Sequence, residues 1–191
     1  MKKYNTEVCK IDHDLIKDND IEGLMKFPAV KKGAELLRKG QIVAFPTETV
    51  YGLGADATDE NAVEKIYLAK GRPQDNPLIV HIATIQQLTE ILEGELSSKV
   101  WKMIENFWPG PLTLILNKNG LIPEKTTAGL NSVAVRMPAH PLARALIMKA
   151  GRPIAAPSAN RSGAPSPTRA SHVINDLQGK IPLVLDGGSA W

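Results

Sequence analysis

The chain of 191 residues is long enough for one domain with a sizeable core, and 43% hydrophobic with 23% charged residues excludes disordered, collagen-like and coiled-coil classes. A formal net charge of +3 is too small for a surface devoted to nucleic acid, although a local anion site remains open. The single cysteine, Cys9, excludes an internal disulfide and a multi-cysteine zinc site, and no apolar run reaches the roughly 18 residues of a membrane span, so a cytoplasmic setting is expected.

Residues 1–28 read as a lead-in with one extended segment near Glu7 to Ile11. From residue 29 onward helical and strand patterns alternate, the mark of an α/β or mixed α+β domain. The spacing predicts a helix over Val30 to Lys39 that stops at Gly40, then a strand Gln41 to Phe45 ending at Pro46. A second helix, Glu60 to Lys70, carries Val63, Ile66 and Tyr67 at helical spacing and stops at Gly71. Strand Pro77 to Ile82 follows. Thr84 and Gln87 have capping-box spacing ahead of Leu88 and Ile91, and a further helix sets Val100, Met103, Ile104 and Phe107 on one stripe before Pro109. Strands are predicted at Leu112 to Leu116 and Ser132 to Met137. The Asn117 to Asn131 connection between them is long enough to suggest a mobile cover over a site. Pro141 opens a helix ended by Gly151, strand Ile154 to Ala156 leads into a polar loop Pro157 to Pro167, and a helix from Thr168 precedes the last strand, Ile181 to Leu185.

One motif misleads. Gly52, Gly54 and Ala57 match the dinucleotide fingerprint G-x-G-x-x-G/A, yet that turn must join a strand directly to a helix, and here the next helix starts only near Glu60. Phosphate-loop, G-x-S-x-G and H-E-x-x-H signatures are absent from the chain.

Five other segments can carry chemistry. Pro46 to Gly52 packs two hydroxyls, a carboxylate and a phenol into a turn, where the threonines can equally serve their own backbone. Lys70 and Arg72 flank a helix stop, where cations complement the helix dipole but also suit a phosphate chain, Arg as a planar fork and Lys as a point charge. Ser158 and Asn160 point to one side if the strand before them continues, and both donate and accept without adding charge. Arg136 on an apolar strand needs a partner, either a buried carboxylate of the protein or an anionic ligand, while His81 on its strand is either a satisfied structural residue or a ligand contact.

Taken together, Thr47 to Gly52, Lys70 to Pro73 with Asn76 to His81, Trp108 to Thr113, Val133 to Pro138 and Pro157 to Asn160 resemble, in order and spacing, the YrdC family of threonylcarbamoyl-AMP synthases over about residues 29 to 188. The resemblance implies a YrdC/RibB-like twisted mixed sheet with flanking helices and a concave basic face. It also implies a nucleotidyltransferase that joins L-threonine, bicarbonate and ATP into threonylcarbamoyl-AMP and pyrophosphate, with Mg²⁺ held by the ATP phosphates and not by protein side chains. The product would pass to the tRNA-modifying threonylcarbamoyl transferase machinery, for the t6A modification. Carried over by position, Lys70, Arg72, Ser158 and Asn160 match the catalytic tetrad; Thr49, His81, Arg136 and Ser158 would face threonine; and Arg72, Asn76, Ser132, Asn160 and Thr168 would face ATP.

By the same resemblance residues 29–191 form a catalytic domain that lacks the C-terminal strands of longer relatives, so an exposed sheet edge is expected near the last strand. Two rival functions stay open: a module holding tRNA or double-stranded RNA through phosphates, and a carbamoyl-adenylate-forming paralogue on the same fold.

Overall fold

The computed structural model describes residues 3–190. In chain order the elements are β1 (Glu7–Lys10), α1 (His13–Lys17), α2 (Ile21–Lys26), α3 (Pro28–Arg38), β2 (Val43–Pro46), β3 (Tyr51–Asp56), α4 (Glu60–Lys70) and β4 (Ile79–His81). Then follow α5 (Ile85–Ile91), α6 (Ser98–Phe107), β5 (Thr113–Asn117), α7 (Glu124–Thr127), β6 (Ser132–Arg136), α8 (Pro141–Ala150), β7 (Ile154–Ala155), α9 (Ala170–Leu177) and β8 (Leu183–Asp186). Oxygen-bearing caps start several helices: Asp59 accepts from the Asn61 and Ala62 N–H groups ahead of α4, Thr84 from Gln87 ahead of α5, and Ser97 from Val100 ahead of α6.

The strands form one mixed sheet in the order β1-β8-β2-β3-β7-β4-β6-β5. Pairing is parallel for β1–β8, β2–β8 and β4–β6, and antiparallel for the remaining pairs. Alternation along the strands divides the core between two faces. Ala44 and Val184 point to the side where α4, α5, α6 and α9 add Ile66, Leu88, Ile104 and Val173. Val43, Phe45, Leu183 and Leu185 point to the other side, where α2, α3 and α8 add Leu24, Leu37 and Leu146. Among the described residues no helix is long and apolar enough to cross a membrane.

The structure changes several expectations. Residues 51–56, which carry the false fingerprint and for which the sequence pattern predicts no element, are a fully buried strand. Its glycines permit close packing: a Cβ on Gly54 would lie 2.7 Å from both Ile154 Cγ2 and Phe45 Cε1. The Asn117 to Asn131 connection is not a free cover. It holds α7, buries Ile122, Thr126 and Thr127, and is tied down where Thr126 Oγ1 donates to the Ala57 carbonyl at 3.0 Å and the Leu78 N–H donates to that of Thr126 at 3.0 Å. The polar loop after β7 is likewise pinned to β3, with Leu53 N–H donating to Pro157, Ala159 N–H to Tyr51 and Tyr51 N–H to Pro167, each at 2.8 Å.

The exposed edge expected at the last strand is absent, because β8 has β1 on one side and β2 on the other. The lead-in supplies that cover, and beyond its strand it also folds into α1 and α2, which sequence periodicity was too short to show.

Candidate active site

Arg136 closes β6, and the β4–β6 register sets His81 beside it. A guanidinium buried on an apolar strand must find acceptors. Its Nε donates to the Gly110 carbonyl at 3.2 Å, its Nη1 to Thr49 Oγ1 at 3.1 Å, and its Nη2 lies 2.6 Å from Glu48 Oε1. The Gly110 carbonyl is brought there by the Pro109 to Pro111 turn, whose Trp108–Pro109 peptide is cis and whose Gly110 N–H donates to Met137 at 2.8 Å. Glu48 and Thr49 come from the tight connection between β2 and β3. Thr47 shapes it by donating to the Val50 carbonyl at 2.7 Å, so one of the two threonines does serve its own backbone while the other faces Arg136.

The charges here are ordered by burial. Burial pushes the Glu48 carboxyl up, but the Arg136 hydrogen bond and charge and the N–H groups of Glu48 and Ala139 outweigh it and hold the group below the usual carboxylate range. His81 is pushed down to about 4 by burial and by the Arg136 charge, so its imidazole is neutral at pH 7. His140, at the N-terminus of α8, is also pushed down to about 4 by burial, with the Glu48 charge opposing; its Nδ1 accepts from the Leu142 N–H at 3.2 Å. Arg136 and Glu48 thus form an ion pair with only 10% and 15% of their side-chain surface exposed.

A second cluster forms where α4 ends. Lys70, in the last turn of α4, is only 2% exposed. Its ammonium donates to the Ser158 carbonyl, to the Asn160 carbonyl at 2.6 Å and to Asn160 Oδ1 at 3.5 Å. Burial and the Arg72 charge lower it to about 8, which leaves it mostly charged at neutral pH. Asn160 Nδ2 donates to the carbonyls of Arg161 at 2.9 Å and Ala164 at 2.7 Å. In this structure both groups hold the 158–164 loop. Ser158 lies half-buried on the same loop.

Gly71, at φ +60, turns the chain out of α4 and sends Arg72 toward β4. The half-buried Arg72 donates from Nη2 to Pro77 at 3.3 Å, with Asn76 O at 3.5 Å. Asn76 leads into β4 at the end that the register aligns with Ser132, and Ser132 stands four residues from Arg136 on β6, about 13 Å along the strand. Thr168 lies between the loop and α9, its carbonyl accepting from Ala190 N–H at 2.8 Å.

The structure thus joins Thr49, Arg136 and His81 in one cluster, Lys70, Ser158 and Asn160 in another, and Arg72 with Asn76 in a third; among the described residues the side chains of Ser132 and Thr168 share no hydrogen bond or ion pair with them. Sequence reading assigned no role to Glu48, Gly110 or His140. Its one pointer was the requirement that Arg136 find a carboxylate, which Glu48 meets. Among the described residues no three His, Cys, Asp or Glu side chains converge on a metal position.

The family model described as "Telomere recombination", for Sua5, YciO and YrdC, matches residues 35–190. The chain is similar to threonylcarbamoyl-AMP synthase of Pyrococcus abyssi, 57% identical over 159 residues, and to that of Bacillus subtilis, 59% identical over 162 residues. These alignments cover 83% and 84% of this chain and 46% of each relative, so the chain spans about half the length of the curated relatives it matches. The crystal structure of P. abyssi Sua5 complexed with L-threonine superposes with a TM-score of 0.82 at 50% identity, covering 96% of this chain and 50% of that one. With the fold, the ordered motif segments and these matches in agreement, the chain belongs to the Sua5, YciO and YrdC family.

Proposed function

We propose that this chain carries the synthase site of a threonylcarbamoyl-AMP synthase, acting on L-threonine, bicarbonate and ATP in the cytoplasm. The observation that carries the proposal is the buried Arg136 guanidinium, donating to Thr49 and standing beside neutral His81 at the rim of one sheet. An Arg of this kind takes a carboxylate through its planar fork, and hydroxyl and imidazole groups next to it suit the hydroxyl of threonine. Support comes from the relatives' names and from the threonine-bound Sua5 structure.

In this scheme the threonine amine and bicarbonate give a carbamate with loss of water, and a carbamate oxygen attacks the α-phosphorus of ATP as pyrophosphate leaves. The chain needs no nucleophile of its own, so its contribution is positioning and charge neutralisation. Thr49, His81, Arg136 and Ser158 orient threonine. Arg72, Asn76, Ser132, Asn160 and Thr168 line the ATP side, where neutral donors beside a cation suit phosphate oxygens better than a bare metal ion. Mg²⁺, arriving with ATP, would supply neutralisation of the phosphate charge. Lys70 acts through the loop it holds, setting Ser158 and Asn160 in place. The product would pass to the transferase machinery that modifies tRNA.

The test is pyrophosphate release by the chain with each substrate omitted in turn, and with carbamoyl phosphate replacing threonine and bicarbonate. Release that requires threonine, bicarbonate and ATP is the expected result. Release supported by carbamoyl phosphate instead, or salt-sensitive RNA binding with no turnover, would overturn the proposal.

A further inference from the structure

Within the threonine reading of this site, we propose that Glu48 is the receptor for the substrate's ammonium group, so that the Arg136–Glu48 ion pair reads an α-amino acid as a zwitterion. An α-amino acid carries its two charges on groups attached to one carbon, and a site for it needs opposite charges side by side. Arg136 alone would leave a buried ammonium next to a buried guanidinium, two like charges with little water between them. Glu48 removes that conflict. Its Oε1 lies 2.6 Å from Arg136 Nη2, and the Thr49 hydroxyl that Arg136 also holds is on the next residue.

Three features make Glu48 more than a counter-ion. The pair is almost dry, so an incoming charge meets it unscreened. The carboxylate is kept ionised, since Arg136 and the backbone N–H groups of Glu48 and Ala139 outweigh its burial, and an ionised carboxylate is acceptor-only and ready for an N–H donor. Its imidazole neighbour His140 is neutral and so does not compete as a cation. On the other side, Arg136 uses its Nε on the Gly110 carbonyl and one Nη1 N–H on Thr49, while the buried Nη2, at ion-pair distance from Glu48, and both Glu48 carboxylate oxygens have no well-aligned hydrogen-bond partner among the described residues, which leaves donors and acceptors of both signs for a ligand. The pair is therefore not cancelled by its own contact. It presents a negative and a positive end to a ligand with the opposite polarity, and it discriminates against carboxylic acids that have no ammonium.

Calorimetric titration of the whole chain with L-threonine and with its α-hydroxy counterpart, in which a hydroxyl replaces the amine, tests this. The unmodified chain should bind threonine about tenfold or more tightly than the hydroxy acid, the scale of a charged hydrogen bond. Glu48→Gln should remove most of that preference and leave hydroxy-acid affinity within about twofold. Equal binding of the two ligands by the unmodified chain overturns the proposal, and this arm stands even if the variant does not fold. A folded variant that loses both affinities together, or neither, also overturns it, the first because Glu48 then only sets the angle of Arg136. If the unmodified chain binds the hydroxy acid but not threonine, the threonine reading itself falls, and the ammonium receptor with it.

Discussion

Three carbonyl and amide oxygens meet one buried ammonium at Lys70, and the outcome is set by what each group would cost if left alone. The Ser158 and Asn160 carbonyls are held by that ammonium, which is itself almost inaccessible to water. Removing the donor strands buried acceptors, and the penalty exceeds the gain of relieving a buried charge when several acceptors are lost together. Lys70→Met, which keeps the length of the stem, should lower unfolding free energy by about 2–3 kcal/mol in urea titration. An unchanged midpoint would show that the loop keeps its shape without the ammonium. Arg136 illustrates the opposite case, where the sequence required a carboxylate without saying whether protein or ligand supplies it, and the structure answers with Glu48.

At the scale of the element, β3 teaches the most. Its Gly52 and Gly54 formally match a nucleotide turn that the missing helix already excludes, and a glycine pair that is not a tight turn marks a close approach of backbones, which only the neighbours reveal. Here the neighbours are Phe45 and Ile154, both 2.7 Å from where a Gly54 side chain would begin. Gly54→Ala should therefore destabilise the fold by about 1–3 kcal/mol in thermal or urea unfolding, although alanine has less conformational freedom to lose. A neutral effect would mean that the two flanking side chains can withdraw. The same logic explains α7: four residues are too few for a periodic signal, and Thr126 is placed by its bond to the Ala57 carbonyl rather than by any pattern of its own.

The whole molecule joins these parts through one sheet whose two faces are both buried, and the consequence is a dependence on pH. His81 and His140 each fall to about 4, mainly through burial. Above pH 6.5 both imidazoles are neutral in the folded and the unfolded chain, so they add no pH dependence to stability there. Between pH 6.5 and about 4 only the unfolded chain takes up these protons, so stability falls as pH falls, by up to about 3 kcal/mol per histidine. Glu48 acts in the same direction. Its folded value is lowered, so the stability it lends is present above the ordinary 4.5 and is lost as pH drops through the folded value. Urea unfolding at pH 7 and pH 4.5 should show a loss of several kcal/mol, and a flat profile would contradict the buried neutral state of the histidines.

Helix positions, most strands and the chemistry-bearing segments were legible in the chain because periodicity, caps and stop residues are local, and because the motif segments keep their order and spacing. The helix over residues 60–70 and the strand around Arg136 are read within a residue or two of where they stand. Tertiary structure alone decided that the lead-in strand covers β8, that residues 51–56 are a central strand, and that Lys70 and Asn160 hold a loop. It also decided that Glu48 meets Arg136 across 88 positions of sequence. Those outcomes depend on which backbone lies opposite which, and on charges from distant segments sharing one dry place, neither of which a single stretch of sequence can encode.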